Sequence, residues 1–292
     1  MAWIKIAKPY CLAICLWLCA VGSSHGSDTL DVFIRDDVLS DYQRFVGQRD
    51  VSTIRDFSHQ AVRRDVVDMI IAQQALRLGG FKKRFTFRPG FVNFRDSNLL
   101  LTGQQLLYFD SFWRRDIADR ENKVFVSDAV ILAGQYYAGV YHAPHNSKVA
   151  KVKSLAQLQQ LSAVSSPRWK TDWQTLQALE LKKVHSESDW TAQARMVSKG
   201  WVDFMMMPLQ PKNNNRFTLP NIELVANPHV VILLDDSRHF LVSRAHPDGK
   251  RAFTALQKGL QQLRQQGAIT KAYQQAGLIP DVTQYQVLQP AK

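Results

Sequence analysis

The feature that most constrains the fold is a regular alternation of strand-like and helix-like segments. Residues 29–35 and 84–91 alternate apolar and polar side chains, which predicts strands, and residues 62–78 between them carry apolar side chains at helical spacing. Residues 97–105 then predict a short helix and residues 106–113 a buried strand. The order β-α-β-α-β is typical of a doubly wound α/β domain.

The second half of the chain repeats this alternation. Residues 123–141 predict two extended pieces, and residues 188–199 predict a helix that ends at a glycine. The apolar run 201–207 predicts another strand, and 248–266 a long amphipathic helix. We therefore expect a second α/β unit, followed by helices near the C-terminus.

The first 26 residues have the outline of a secretory signal peptide. Lys5 and Lys8 provide a positive start, residues 9–22 are apolar, and small residues precede a cleavage site before Ser27. The apolar run is shorter than the roughly 20 residues that a membrane-spanning helix needs. The sequence therefore predicts export to the periplasm, with an uncleaved anchor as the alternative.

The three cysteines, Cys11, Cys15 and Cys19, all lie in this segment. A lipoprotein would place its lipid on Cys19, but Leu18 stands where lipidation needs a small residue. Without its first 26 residues the chain has no cysteine, so its stability must come from a hydrophobic core rather than from disulfides.

The chain is basic, with 37 Lys and Arg against 25 Asp and Glu and a formal net charge of +12. Such a surplus favours anionic partners. The basic residues are scattered and form no run of five or more, so a nucleic-acid surface is not predicted.

No motif for catalysis or metal binding stands out. The sequence contains no G-x-S-x-G, H-E-x-x-H, P-loop or G-x-G-x-x-G pattern, so we predict neither an enzyme nor a cofactor. Met205–Met207 lie on one strand and alternate between its faces, which predicts core packing rather than a copper site. His142 and His145 are a close pair without a third ligand, so no metal site is predicted.

Four segments together resemble the periplasmic solute-binding proteins of type II, family 3, which serve ABC importers of amino acids and related compounds. Residues 153–166 (KSLAQLQQLSAVSS) resemble the helix that leads into the family's ligand loop, and 188–204 its helix-strand step with the M-V-x-x-G pattern. Residues 239–273 resemble the return strand and final helices, and 124–131 the crossover to the second lobe.

The resemblance implies an α/β fold of two lobes, each a doubly wound sheet flanked by helices, joined by two hinge crossovers. It assigns residues 27–129 and 238–292 to lobe 1 and residues 130–237 to lobe 2. A ligand would lie between the lobes, which close over it. The family's amino-acid binders pair the ligand carboxylate with an arginine of lobe 1, and near 106–115 the chain has no clear match to it; Arg114 and Arg115 are the nearest candidates. No carboxylate follows the strand 201–207 either, so the resemblance alone does not imply an α-amino-acid ligand.

The stretch SSPRWK is the first candidate ligand contact. In an open α/β lobe, ligands bind outside the carboxyl ends of strands, against helix N-termini. Ser165 and Ser166 offer hydroxyl groups, Arg168 offers a bidentate fork for an anion, and Trp169 and Lys170 add an apolar face and a second cation. The alternative is a solvated turn.

Helix starts are also marked in this region. Ser154 with Gln157 and Thr171 with Gln174 match the capping box, in which the two side chains satisfy donors at a helix N-terminus. The second match predicts that a helix begins directly after the SSPRWK stretch.

Four further residues are expected to line the cleft from the first lobe and the crossover. Asp110 and Trp113 follow the third predicted strand, Arg35 follows the first, and Tyr136 precedes the second lobe. For each, a structural role in the core or in a turn is the alternative.

The combined prediction is a monomeric periplasmic receptor that binds a small solute, anionic or partly aromatic, and passes it to an ABC permease or a sensor kinase. One alternative is a lyase or dehydratase on the same fold, for which Asp110 and His239 are the nearest acid and base. A second is a degenerate pair of lobes that serves as an interaction module.

Overall fold

The structure is a computed structural model that describes residue 1 and residues 28–58, 62–90, 98–210 and 213–290. The predicted signal peptide, beyond Met1, lies outside the described residues. No described helix has the length and apolar character needed to cross a bilayer.

The strands are β1 Thr29–Arg35, β2 Arg84–Gly90, β3 Phe112–Trp113, β4 Val124–Ile131, β5 Tyr137–His142, β6 Ser162–Ser165, β7 Lys183–Ser186, β8 Phe204–Pro208, β9 Arg216–Leu219, β10 Ile222–Leu233, β11 Arg238–Ser243 and β12 Gln286–Leu288. The helices are α1 Asp36–Val46, α2 Arg64–Leu78, α3 Arg114–Ile117, α4 Ser147–Ala150, α5 Leu155–Leu158, α6 Lys170–Ala178, α7 Trp190–Ser198, α8 Gly249–Gln265 and α9 Ala268–Gln275.

The first lobe is built on β1 and β2, which are parallel and in register from Thr29–Arg84 to Arg35–Gly90. Helix α1 connects to α2 between them. The sequence pattern predicted no helix where α1 lies, because charged and polar residues (Asp36, Asp37, Ser40, Asp41, Gln43 and Arg44) alternate with its apolar stripe. Val38, Leu39, Tyr42, Phe45 and Val46 are buried at helical spacing.

A three-stranded sheet, with strand order β3-β11-β4, forms the part of the first lobe nearest the second. The predicted strand 106–113 is interrupted: residues 106–108 bond to β11, and the chain turns away before β3. The cause is a side-chain contact, because the amide and hydroxyl of Ser111 both donate to Asp68 of α2.

The second lobe contains a seven-stranded mixed sheet, ordered β12-β10-β5-β8-β6-β7 with β9 added on β10. Its two faces carry separate cores. Val140 and Phe204 belong to one core, and their chain neighbours Tyr141 and Met205 to the other. The predicted alternation of the three methionines is confirmed, since Met205 and Met207 share a core that excludes Met206.

Two crossovers join the lobes, residues 132–136 and 234–237. They bond to each other, because the amide of Leu234 donates to the carbonyl of Tyr136 at 3.0 Å. This pairing holds the two connections side by side at the base of the cleft, as the predicted hinge requires.

The C-terminal region divides between the lobes. Helices α8 and α9 pack against α2, as expected for the completion of lobe 1. The assignment of the whole segment 238–292 to lobe 1 is wrong at its end, because β12 runs parallel to β10 in the second lobe's sheet. Val287 and Leu288 supply apolar side chains to the two cores of that lobe, which accounts for the return.

Helices α2 and α8 cross at unusually close range through matching small residues. A Cβ atom on Gly79 would lie 1.8 Å from the carbonyl oxygen of Ala255, and one on Gly259 would lie 1.8 Å from that of Ala75. The contact is reciprocal, so each helix uses an alanine and a glycine four residues apart to let the backbones touch.

We predict that Gly259→Ala destabilises the protein, although alanine normally stabilises a helix interior by about 1 kcal/mol relative to glycine. The new methyl group must push α8 away from α2, and such overpacking costs about 1–3 kcal/mol. Chemical denaturation measures the change. Lys258→Ala, at an exposed position of the same helix, is the control; a Gly259→Ala protein that is as stable as this control would contradict the close crossing.

Candidate ligand-binding cleft

A cavity of about 770 Å³ lies between the lobes. The first lobe contributes the end of β1 and the start of α2, and the second contributes the start of α7 and the chain after β8. The crossover residue Tyr136 and the end of α9 also face it. The volume lies in the range of pockets that hold small organic ligands.

The wall formed by the first lobe carries charges of both signs. Arg35 donates from Nε and Nη2 to Asp37, at 3.0 and 2.7 Å, while its Nη1 has no hydrogen bond to a described residue. Arg63 joins Asp37, Asp41 and Asp65 through contacts of 2.8 to 3.3 Å. The arginines hold the pKa of Asp37 below its usual range, with the hydrogen bond from Arg35 as the main cause.

Asp68 anchors the floor beneath this wall. Its carboxylate is fully buried and accepts hydrogen bonds from the Ser111 amide at 2.8 Å, the Ser111 hydroxyl at 2.7 Å and the Tyr273 hydroxyl at 2.5 Å. Arg64 lies 2.5 Å away and also contacts Asp110. Burial raises the pKa of Asp68, while the Arg64 guanidinium opposes the shift.

Asp110 is therefore a partner of Arg64 in this structure. Burial acts to raise the pKa of Asp110, but the Arg64 and Arg238 guanidinium groups outweigh it and hold the pKa below the usual value. Arg238 also bonds to Ser111, through its Nε to the hydroxyl at 3.0 Å and through Nη2 to the carbonyl.

Tyr136 and Trp113 stand between this floor and the open cavity. Their rings meet edge to face at 5.0 Å, and the Arg238 guanidinium lies 4.5 Å from the centre of the Trp113 ring. Trp113 is thus buried packing rather than an open wall. Tyr136 is also buried, yet it lines the cavity, and its hydroxyl makes no hydrogen bond with a described residue.

The facing wall is less polar. The Trp190 ring packs edge to face on Phe217 at 5.0 Å and lines the cavity together with Pro208 and Leu209. Gln210 adds an amide at the same edge.

The lobes touch beside the cavity at the start of α6. Thr171 donates its hydroxyl to Asp236 at 2.8 Å, and the Lys170 ammonium lies 2.6 Å from Asp119 of the first lobe. The predicted capping box at Thr171 is wrong, because the N-cap of α6 is Trp169, two residues earlier, and it makes no side-chain cap hydrogen bond. The Thr171 hydroxyl, which would have capped the helix, instead donates a hydrogen bond from the second lobe to Asp236 of the crossover.

No residue of the SSPRWK stretch, Lys170 included, lines the cavity. Ser165 and Ser166 are buried, and the Ser166 hydroxyl accepts from the Arg168 amide at 3.3 Å in a local turn. Arg168 is exposed and makes no ion pair within the described residues, and Trp169 is half-buried. Of this stretch, Lys170 contacts the opposite lobe.

The predicted acid and base of the enzyme alternative are engaged elsewhere. The His239 ring lies between the Ser127 carbonyl, 2.7 Å from Nδ1, and the Ser237 hydroxyl, 2.8 Å from Nε2. Burial lowers the pKa of His239. Both ring nitrogens therefore have partners away from the cavity. Among the described residues no group of His, Cys, Asp or Glu is arranged to hold a metal ion.

Four residues of the cleft and its floor were not predicted from the sequence: Arg63, Arg64, Arg238 and Trp190. One signal was available, because two arginines at the start of a helix oppose the helix dipole and need a compensating reason. Here the reason is the surrounding set of aspartates. Arg238 carried no such signal, since its partners are more than a hundred residues away in the chain.

Comparison with known proteins supports the fold and not a family assignment. No protein-family model matches the chain, and no curated protein matches its sequence. Many solved structures match its fold. One is the ancestral amino acid-binding protein AncCDT-1, described as a precursor of cyclohexadienyl dehydratase, at 16% identity over 86% of this chain and 96% of that chain, with a TM-score of 0.53.

Two further matches are binding proteins of bacteria. The probable amino-acid ABC transporter extracellular-binding protein ytmK from Bacillus subtilis is 14% identical over 84% of this chain and 95% of that chain, with a TM-score of 0.51. A mutant of ArgBP from T. maritima is 13% identical over 84% and 93%, with a TM-score of 0.50. At these identities the chain shares with them the two-lobed periplasmic-binding-protein fold.

Asp172 lies in the first turn of α6, where the lobes meet. Burial raises its pKa to about 6, Arg238 opposes the shift, and the like charge of Asp116 adds to it. A group with a raised pKa in the folded state stabilises the fold when protonated, and this contribution is lost as the pH rises through about 6.

We predict that Asp172→Asn raises the free energy of unfolding at pH 8, by on the order of 2 kcal/mol, and leaves it nearly unchanged at pH 4. The amide keeps the size of the carboxyl group without the buried charge. Denaturation at both pH values measures the difference, with the exposed Asp235→Asn as the control. An equal effect at pH 4 and pH 8 would show that Asp172 ionises freely in solvent.

Proposed function

We propose that the protein is a receptor that binds a small solute between its two lobes. The observation that carries this proposal is the cavity of about 770 Å³, which brings residues of both lobes and of the crossover Tyr136 to one space. A ligand there contacts both lobes at once, so its binding stabilises the closed arrangement.

The lining supports a solute with a polar, charged end and an apolar body. The Nη1 of Arg35, which has no hydrogen bond to a described residue, and the hydroxyl of Tyr136 are donors for an anionic or carbonyl group. The aspartates paired with Arg63 balance the charge, which favours a zwitterion over a multiply charged anion. Trp190 and Leu209 offer the apolar contact from the second lobe.

The proposed location is the periplasm, because residues 1–26 have the outline of a secretory signal. The proposed partner is a membrane protein that distinguishes the ligand-bound form, either an ABC permease or a sensor kinase. Two fold neighbours support this class of function, one described as an ancestral amino acid-binding protein and the other as a probable amino-acid ABC transporter extracellular-binding protein.

We predict that a screen of amino acids, organic acids, phosphonates and nucleotides by thermal shift finds a stabilising solute. At 100 times its Kd such a ligand adds about 2.7 kcal/mol to the free energy of unfolding. Tyr136→Phe should weaken its binding roughly fivefold to tenfold, because a hydrogen bond worth about 1 kcal/mol is lost while the ring still packs on Trp113.

Tyr137→Phe is the matched control. Its hydroxyl donates to the carbonyl of Gly134 at 2.9 Å, so its loss removes one hydrogen bond without changing the proposed donor to the ligand. Equal weakening by both variants would argue against Tyr136 as a ligand contact. If no compound stabilises a well-folded sample, the interaction-module alternative replaces the receptor, and turnover of a bound compound would favour the enzyme alternative.

A further inference from the structure

A second surface of the first lobe surrounds the turn at Gly80, at the far end of α2 from the cleft. One hollow of about 630 Å³ on this surface is lined by Arg77, Lys82, Lys83 and Arg84. A shallower hollow that shares Gly80 is lined by Lys250 and Arg251 of α8. We call these six cations the basic corner.

Within the described residues, two carboxylates neutralise part of the basic corner and leave a positive excess. Asp50 lies 3.4 Å from Arg77, and Asp248 lies 2.9 Å from Lys83 and 2.6 Å from Arg251. Lys82, Arg84 and Lys250 make no ion pair within the described residues, so four positive charges are left over. These three residues are exposed, and a diffusing anion can reach them.

The larger hollow also has an apolar floor. Leu76 and Phe81 are buried beneath it, and the rings of Phe81 and Phe85 stack at 6.1 Å. Leu78 is 43% exposed beside the turn. A basic rim above an apolar floor matches an amphiphile with an anionic head better than a free inorganic ion.

The close crossing of α2 and α8 makes this arrangement rigid. Gly79 touches the backbone of Ala255, so the two helices that carry the cations cannot move apart independently. Helix α2 has 15 residues and spans about 22 Å, which separates the basic corner from Arg64 at the cleft. Occupation of one site therefore leaves the other free.

The described range 28–58 begins beside the basic corner. The amide of Arg84 donates to the carbonyl of Asp28 at 2.8 Å, and Thr29 pairs with Arg84 in the sheet. The sequence before residue 28 contains the apolar run 9–22, so the segment predicted as a leader or anchor joins the folded chain at this surface. In the uncleaved-anchor alternative this segment brings a bilayer to the basic corner. With or without it, the apolar floor and the exposed Leu78 favour an amphiphile over an acidic protein as the occupant.

We propose that the basic corner binds the phosphate headgroups of anionic phospholipids and holds the first lobe against a membrane surface. Lys and Arg near an anionic bilayer each strengthen binding, and the attraction weakens as salt screens it. The proposal is independent of the solute that binds in the cleft.

The test is co-sedimentation of the full chain with phosphatidylcholine vesicles, with and without phosphatidylglycerol, at low and high salt. We expect binding that increases with phosphatidylglycerol and weakens with salt. Lys82→Glu combined with Arg84→Glu should reduce the phosphatidylglycerol-dependent binding more than tenfold. Lys182→Glu with Lys183→Glu, an exposed pair on the second lobe, changes the net charge equally and is the matched control.

The proposal is supported if the Lys82→Glu, Arg84→Glu variant loses binding to phosphatidylglycerol vesicles and the control variant retains it. Equal losses in both variants would mean that net charge alone attracts the protein, and binding that ignores phosphatidylglycerol would assign it to the apolar N-terminal segment; either result overturns the proposal. So would calorimetric binding of inorganic phosphate or of an acidic peptide without binding to vesicles.

If the first variant fails to fold by circular dichroism, Lys82→Gln with Lys250→Gln removes two exposed cations without a change in charge sign. The reduction in phosphatidylglycerol-dependent binding is then expected to be smaller than for the first variant, about fivefold or more. The thermal shift caused by a cleft ligand should be unchanged in each variant, which separates this proposal from the receptor function.

Discussion

The structure of the first lobe depends on one buried carboxylate, that of Asp68. It has no solvent exposure and collects hydrogen bonds from Ser111 and Tyr273 and an ion pair from Arg64. These contacts join α2, the turn before β3 and α9, which are far apart in the chain. Removing one partner of such a buried set costs about 3–5 kcal/mol, because the remaining charge is left without compensation. The interruption of the strand at 106–113, the position of Arg64 at the cleft and the docking of the C-terminal helix all follow from it.

The same cluster determines what the cleft can offer to a ligand. Since Asp68 and Asp110 engage Arg64, that arginine is a structural cation rather than a free anion receptor. Among the described residues, the groups left for the proposed solute are Tyr136 on the crossover, the Nη1 of Arg35 and the aromatic wall at Trp190. The proposed receptor would therefore recognise its solute by shape and a few hydrogen bonds more than by net charge.

Local patterns in the sequence were sufficient for most of the fold. The alternation at 29–35 and the helical spacing at 62–78 predicted β1 and α2 within two residues, and the four family-like segments predicted two lobes. Helix α1 was not predicted because its five buried residues alternate with charged ones in the sequence. Strand β12 was not predicted because a strand of three residues is too short to show a pattern. The site was harder to predict, because it consists of pairs such as Arg238 with Ser111 that only the folded chain brings together.

The central claim is that the lobes face each other with the start of α6 against the first lobe. Zero-length carbodiimide crosslinking of the dilute protein, read by mass spectrometry, tests it most directly. The account predicts an amide between Lys170 and Asp119, whose charged atoms are 2.6 Å apart, alongside the Lys83–Asp248 link within the first lobe at 2.9 Å. A Lys83–Asp248 link without any link from Lys170 to the first lobe would contradict the account.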